Sequence, residues 1–208
     1  MVVKTKKIKI AVLVSGGGTN LQALIDAQKS GILKSGKIAL VLSNKADAFA
    51  LQRAKDAEIP TATVLKSVCL SQEQFEDELI KKIEEAGAEL IVLAGFMAIL
   101  SKKFTAHFER RILNVHPSLI PSFCGEGFYG LRVHKAALEK GVKVTGATVH
   151  FVNEIPDGGE IILQKAVNVR DNDTPETLQK RVMRQAEWKI LPAATEKVAA
   201  ALLEAKNH

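Results

Sequence analysis

Residues 7–14 of this 208-residue chain read Lys-Ile-Lys-Ile-Ala-Val-Leu-Val, and Ser15-Gly16-Gly17-Gly18-Thr19-Asn20 follows at once. Lysine alternates with isoleucine at the start, and the run then becomes wholly apolar. That pattern predicts a strand entering a sheet covered on both faces. Leu21, Leu24 and Ile25, with Ala23 and Ala27, then recur at helical spacing. A strand, a glycine turn and a helix in that order constrain the chain to an α/β architecture more tightly than any other stretch. Two readings of the glycines stay open. One is a tight strand-to-helix turn, with Thr19 or Asn20 as the cap. The other is a cradle for a phosphate, since glycine lets backbone N–H groups approach an anion at the positive end of a helix. The loop is neither GxxxxGK[ST] nor a strict GxGxxG.

The rest of the chain continues the alternation. Strands are predicted over residues 37–43, 61–65, 90–94, 111–115, 144–152 and 160–169. Helices are predicted over 48–57, 72–86, 101–108, 131–140 and 174–205. Phe75, Leu79, Ile80 and Ile83 share one face of the third helix, which Ser71 and Gln74 open as a capping box. Thr174-Pro175-Glu176-Thr177 is a helix start signal, and Pro192 is expected to kink or divide the last helix. Gly95-Phe96-Met97-Ala98-Ile99-Leu100 has no clear period; it reads as core, or as the wall of a pocket for a flat ring. Residues 117–130 form a long loop, of a kind that is often functional. The expected fold is a doubly wound, mostly parallel α/β sheet with an antiparallel C-terminal strand pair, in one domain over 1–208. Such sheets host many activities.

Composition narrows the classes. Hydrophobic residues make up 47% of the chain, enough for a proper core. The net charge of +6 is spread along the chain with few aromatics, so no nucleic-acid partner is expected. Lys4, Lys6, Lys7 and Lys9 cluster near the start and read as a solvated tail, with a binding arm as the alternative. Cys69 and Cys124 form neither a disulfide framework nor a zinc cluster, which suits a reducing, cytoplasmic setting. No run of apolar residues approaches the roughly 20 that span a membrane, and no signal-peptide pattern is present.

The candidate chemistry lies at Asn114-Val115-His116-Pro117-Ser118. Positions i and i+2 of a strand face one side, so Asn114 and His116 are expected to aim at one point. An asparagine amide donates to an oxygen gaining charge, and an imidazole exchanges a proton near neutral pH. Pro117 then ends the strand. The alternative is a plain strand end with a turn-forming Asn and a hydrogen-bonded His. Asp157, in a turn-rich link, is a partner that would raise the pKa of His116 and hold it protonated; its alternative is a turn residue before Gly158-Gly159.

The chain resembles the glycinamide ribonucleotide formyltransferases, folate-dependent enzymes of purine biosynthesis. The resemblance rests on several stretches: Val14-Ser15-Gly16-Gly17-Gly18-Thr19-Asn20-Leu21-Gln22, Ser43-Asn44-Lys45-Ala46-Asp47-Ala48, Leu93-Ala94-Gly95-Phe96-Met97 and Leu113-Asn114-Val115-His116-Pro117-Ser118-Leu119-Ile120-Pro121. It continues through Gly146-Ala147-Thr148-Val149-His150-Phe151-Val152, Asp157-Gly158-Gly159-Glu160-Ile161-Ile162 and Gln185-Ala186-Glu187. It implies a Rossmann-like formyltransferase fold and transfer of a formyl group from 10-formyltetrahydrofolate, as co-substrate, to the amine of 5-phosphoribosylglycinamide, without a metal, by a cytoplasmic monomer or homodimer. It also implies that Asn114, His116 and Asp157 are catalytic. Gly18, Thr19 and Asn20 would hold the phosphate and Glu187 the ribose. Met97, Ala98, Ile99 and Leu100 would line the folate site, with Asn114 beside it.

The pattern is not complete. Ala98 stands where a basic residue often sits, Gln72 where some members carry Arg, and the 122–130 loop is longer than in compact members. Cys124 within that loop reads as incidental. His150 reads as a hydrogen-bonded core residue, His134 as a candidate phosphate contact, His107 as a surface residue and Trp188 as packing. A formyltetrahydrofolate hydrolase is the nearest alternative, but it would bring an N-terminal regulatory domain and a His at position 117. An initiator-tRNA formyltransferase would bring an RNA-binding domain. A catalytically silent nucleotide-binding module is the alternative outside enzymes; the Asn114/His116/Asp157 set speaks against it.

Overall fold

The computed structural model describes residues 7–206. Lys4 and Lys6 of the basic cluster therefore lie outside the described residues. The chain divides into two compact units, one of residues up to Leu100 with those from Thr195 onward, the other Ser101–Ala194.

In the first unit, strands β1 (Ile8–Val14), β2 (Gly36–Ser43), β3 (Thr61–Thr63) and β4 (Leu90–Leu93) alternate with helices α1 (Thr19–Lys29), α2 (Phe49–Asp56) and α3 (Gln72–Glu85). The strands are parallel in the order β3-β2-β1-β4, with Val12 beside both Val41 and Val92. Strand β1 lies between β2 and β4, and its Ile10, Val12, Leu13 and Val14 are fully buried. Each side chain of that size contributes about 1.5–3 kcal/mol by leaving water. The helices supply the matching apolar faces: Leu21, Leu24 and Ile25 from α1, and Phe75, Leu79 and Ile83 from α3. At the start of α3 the Ser71 hydroxyl accepts from the Gln74 N–H at 3.1 Å, but the Gln74 side chain accepts from Leu70 N–H rather than from Ser71. The capping box is therefore half formed. The third strand is shorter than expected, because a single 3₁₀ turn at Lys66–Val68 follows it.

In the second unit, β5 (Ile112–His116), β6 (Val144–Phe151) and β7 (Ile161–Asn168) form an antiparallel set, with α4 (Lys102–His107) and α5 (Leu131–Lys140) between them in sequence. Strand β6 is the centre of this set. The α/β class and the antiparallel C-terminal pair are those the sequence implied. Thr174 caps α6 (Pro175–Val182) in a reciprocal box with Thr177, as the Thr-Pro-Glu-Thr signal indicated. The long terminal helix departs from expectation. It opens into a π-turn at Met183–Glu187, and α7 (Trp188–Ala205) then runs on through Pro192. A proline lacks the N–H that the ladder needs, and a widened turn just upstream is a known accommodation of such a defect. Among the described residues, no helix is long and apolar enough to cross a membrane.

Candidate active site

A linked polar cluster lies in the second unit, at the carboxyl end of β5. The antiparallel ladder sets Asn114 opposite His150 and His116 opposite Thr148. The Asn114 amide donates to His150 Nε2 at 3.2 Å. His150 Nδ1 donates to the Phe151 carbonyl at 2.7 Å, so in the neutral ring the other nitrogen is left as an acceptor. His150 Nε2 is also 3.5 Å from Asp157 Oδ1, while Asp157 Oδ2 is 3.3 Å from His116 Nδ1. A continuous chain thus runs Asn114–His150–Asp157–His116, and sequence spacing alone cannot show it.

His150 is buried, as its alternating strand position suggested. Its links to Asn114 and Asp157 are the functional signal that the sequence reading missed. Asp157 reaches the histidines because the link between β6 and β7 turns tightly, with Asp157 itself at φ +55°. Aspartate tolerates that region better than most residues.

The long loop after His116 belongs to the same cluster. Thr148, fully buried, donates to the Ser118 carbonyl at 2.7 Å and accepts from Ile120 N–H at 3.1 Å. Gln164 donates to both Thr148 Oγ1 and the Ile120 carbonyl, each at 3.0 Å. Farther along, Gly125 N–H donates to Asp157 Oδ2 at 2.9 Å, and the Phe123 carbonyl accepts from His116 Nε2 at 2.9 Å. The loop is therefore tied to both members of the His–Asp pair. Cys124 donates to the Pro121 carbonyl, and burial followed by the Asp157 charge pushes its thiol pKa up, away from a nucleophilic role.

Electrostatics corrects one expectation. The His116 pKa is lowered, not raised: burial dominates, against the opposing pull of Asp157 and the Phe123 carbonyl. Burial also works against the Asp157 carboxylate, but the adjoining His150 side chain and the hydrogen bond from the Gly125 N–H, with the charge of His116 and then of His150, hold its pKa below the ordinary value. Both ring nitrogens of His116 face oxygen acceptors, and only the imidazolium can donate to both. The ring is thus caught between an interior that disfavours its charge and two acceptors that favour it, which suits a proton that must move.

The other candidates lie elsewhere. In the first unit, β1 sits between β2 and β4, so its carboxyl end is where the strand order reverses, the usual ligand position in open α/β sheets. Ser15, at that end, donates to Asn44 Oδ1 at 2.7 Å and accepts from Met97 N–H at 2.8 Å. The glycine turn lies against α2. Ala50 N–H donates to the Gly16 carbonyl at 3.0 Å, and Arg53 Nε donates to the Gly17 carbonyl at 2.8 Å. In a trans peptide the C=O and N–H point in opposite directions. The N–H groups of Gly17 and Gly18 are therefore turned away from α2, as in the nests that bind anions. Gly18, at φ +71°, is the N-cap of α1 with no side chain capping it; Thr19 and Asn20 begin the helix.

Met97 and Ile99 are 54% and 77% exposed, and Ala98 and Leu100 are half-buried, so residues 97–100 are not core. Gln72 steadies this segment through a 3.0 Å hydrogen bond to the Ile99 carbonyl. Glu187 is buried in the second unit, on the π-turn. His134 is fully buried, so it offers no surface to a phosphate. Neither of its ring nitrogens has a hydrogen-bond partner, and its pKa falls to about 4, through burial and then the charge of His116. Among the described residues, no three His, Cys, Asp or Glu side chains converge as a metal set.

Residues 8–195 match the formyl transferase family. Over 184 residues the chain is 46% identical to a phosphoribosylglycinamide formyltransferase of Haemophilus influenzae, covering 88% of this chain and 84% of that protein. It is also 46% identical over 202 residues to the trifunctional purine biosynthetic protein adenosine-3 of Gallus gallus; 97% of this chain is matched, spanning 19% of that protein's length. Among solved structures, glycinamide ribonucleotide transformylase 1 from Symbiobacterium toebii superposes with a TM-score of 0.88 at 40% identity, covering 94% of this chain and 89% of that one.

Proposed function

The chain belongs to the formyl transferase family, and on that premise we propose that it transfers the formyl group of 10-formyltetrahydrofolate to the amine of 5-phosphoribosylglycinamide in purine biosynthesis. The observation that carries this reading furthest is the linked set Asn114–His150–Asp157–His116, which offers an amide donor, a buried imidazole and an ionised carboxylate together.

The chemistry follows from those groups. The folate supplies a formyl carbon activated by attachment to N10. The amine nitrogen attacks that carbon, its carbonyl oxygen takes on negative charge, and the C–N10 bond then breaks. The proton lost by the amine balances the one gained by N10. Asn114 donates to the developing oxyanion. His116 acts as the imidazolium, which Asp157 favours and which an arriving negative charge favours further, and its Nε2–H exchanges the Phe123 carbonyl for the oxyanion. Removing one such donor costs roughly 10²–10³ in rate. His150 accepts from the Asn114 amide and so fixes which way that amide points.

In this reading Gly18, Thr19 and Asn20 hold the ribonucleotide phosphate at an uncapped helix start. Glu187 binds the ribose. Met97, Ala98, Ile99 and Leu100 are folate contacts, and so is Asn114. The exposed apolar side chains of Met97 and Ile99 suit a flat ring. Residues 1–208 act as one formyltransferase domain in the cytoplasm, as a monomer or homodimer, on small-molecule substrates only.

The test is product identification. The protein is incubated with both substrates and the ribonucleotide is recovered for mass analysis. A formylated glycinamide nitrogen is the expected result; unmodified ribonucleotide alone would overturn the proposal.

A further inference from the structure

Arg53 has no place in the reaction scheme above, yet it is built into the glycine turn. It lies within α2, 36 residues from Gly17 in sequence. Its Nε donates to the Gly17 carbonyl at 2.8 Å, and its Nη1 donates to Gln22 Oε1 on α1 at 3.1 Å. Its guanidinium carbon stands 5.0 Å from the centre of the Phe49 ring, which restricts the side chain from the other side. One planar fork thus joins α2 to the turn and to the first helix, a geometry that lysine cannot reproduce.

The bond to Gly17 has a directional consequence. Holding that carbonyl against α2 turns the Gly18 N–H the other way. The neighbouring bond from Ala50 to the Gly16 carbonyl does the same for the Gly17 N–H. A bare glycine turn has many conformations of similar energy. Arg53 removes that freedom at the peptide that orients the Gly18 N–H, and adds a fixed positive charge behind it.

We infer that Arg53 is a positioning residue that preorganises the Gly16-Gly17-Gly18 turn for the phosphate of the acceptor substrate. The inference rests on the proposed assignment of that turn to the ribonucleotide phosphate. It assigns Arg53 to one substrate only. Loss of the fork weakens binding of the phosphorylated acceptor and leaves the folate and the transfer step as they were.

The experiment compares the wild type with Arg53→Met, which keeps an apolar stem over Phe49, and with Arg53→Lys, which keeps the charge but not the fork. Each is assayed by varying one substrate at saturation with the other, and each is checked by thermal unfolding. The expected result for Arg53→Met is a ribonucleotide KM raised about tenfold or more, the scale of one hydrogen bond to a charged group. Its kcat and folate KM stay within about twofold, and Arg53→Lys falls between it and the wild type. A ribonucleotide KM within about twofold of wild type, or KM values for both substrates rising together, overturns the inference.

A second arm does not depend on turnover. Binding of ribose 5-phosphate is followed by calorimetry in all three proteins. Weaker binding by Arg53→Met supports the inference even if no formyl transfer is found, whereas equal binding, or none by the wild type, overturns it.

Discussion

Replacing Gly18 by alanine puts the glycine turn under a load that can be worked out from its surroundings. Gly18 sits at φ +71°, where an L-residue costs roughly 1–2 kcal/mol. Its new Cβ would lie 2.6 Å from Ala50 Cβ and 2.8 Å from Ala50 Cα. Carbon atoms pack best at about 3.5–4.0 Å. Ala50 Cα is backbone and cannot swing aside, so α2 or the turn must move, at an overpacking cost of roughly 1–3 kcal/mol.

The two costs together come to about 2–5 kcal/mol, and relief by displacing the turn takes the Gly18 and Thr19 N–H groups with it. Since 1.4 kcal/mol is tenfold in affinity, a ribonucleotide KM raised about tenfold to a hundredfold is expected, with the folate KM little changed. Gly17→Ala is the comparison, because a Cβ there meets no protein atom within 4 Å; it should raise the ribonucleotide KM less than Gly18→Ala does. Steady-state kinetics on both variants, with thermal unfolding to confirm folding, reads the difference. If Gly18→Ala leaves the ribonucleotide KM alone, or raises only the folate KM, the turn does not hold the phosphate. Equal effects of the two substitutions would refute the steric argument.

His116→Ala should lower kcat by roughly 10²–10³, and unchanged turnover in single-turnover assays would remove His116 from the chemistry. Asp157→Asn takes away a charge that raises the His116 pKa, so the limb of the kcat/KM profile that falls with rising pH should move to lower pH; an unmoved limb would sever the pair. His134 concerns stability. Its pKa is about 4 in the folded chain against an ordinary value of 6.5. Its contribution is fully present above about pH 6.5 and is lost as the pH falls toward 4, because the unfolded chain binds the proton more readily. Two and a half units at 1.36 kcal/mol each make that loss about 3 kcal/mol. His134→Leu should flatten the fall in urea-unfolding stability between about pH 7 and pH 4, and an equally steep fall in the variant would contradict the assignment.

Some of this was legible in the residues and some was not. Strand β1 and helix α1 announce themselves because lysine–isoleucine alternation and helical spacing are local signals. Asn114 and His116 were legible for the same reason, since the period of a strand puts i and i+2 on one side. The role of His150 was hidden. A histidine among apolar neighbours in a strand looks like core, and its partners are set by the antiparallel register with β5 and by the turn at Asp157, not by neighbours in sequence.

The direction of the His116 pKa was misjudged for a related reason. The charge of Asp157 is written in the sequence, but the burial that outweighs it is a property of the packed chain. Arg53 gave no sign because an arginine in a short amphipathic helix normally faces solvent; only the folded turn brings Gly17 to it. Proline usually kinks or divides a helix, yet α7 runs on through Pro192 and the chain widens at Met183–Glu187 instead.

The measurement that tests the central claim most directly is release of tetrahydrofolate from 10-formyltetrahydrofolate, followed with and without 5-phosphoribosylglycinamide. Release that requires the ribonucleotide, mole for mole with its formylation, is the result this account predicts. Equal release in its absence would make water the acceptor, and no release in either case would contradict the assignment of Asn114, His116 and Asp157 to catalysis.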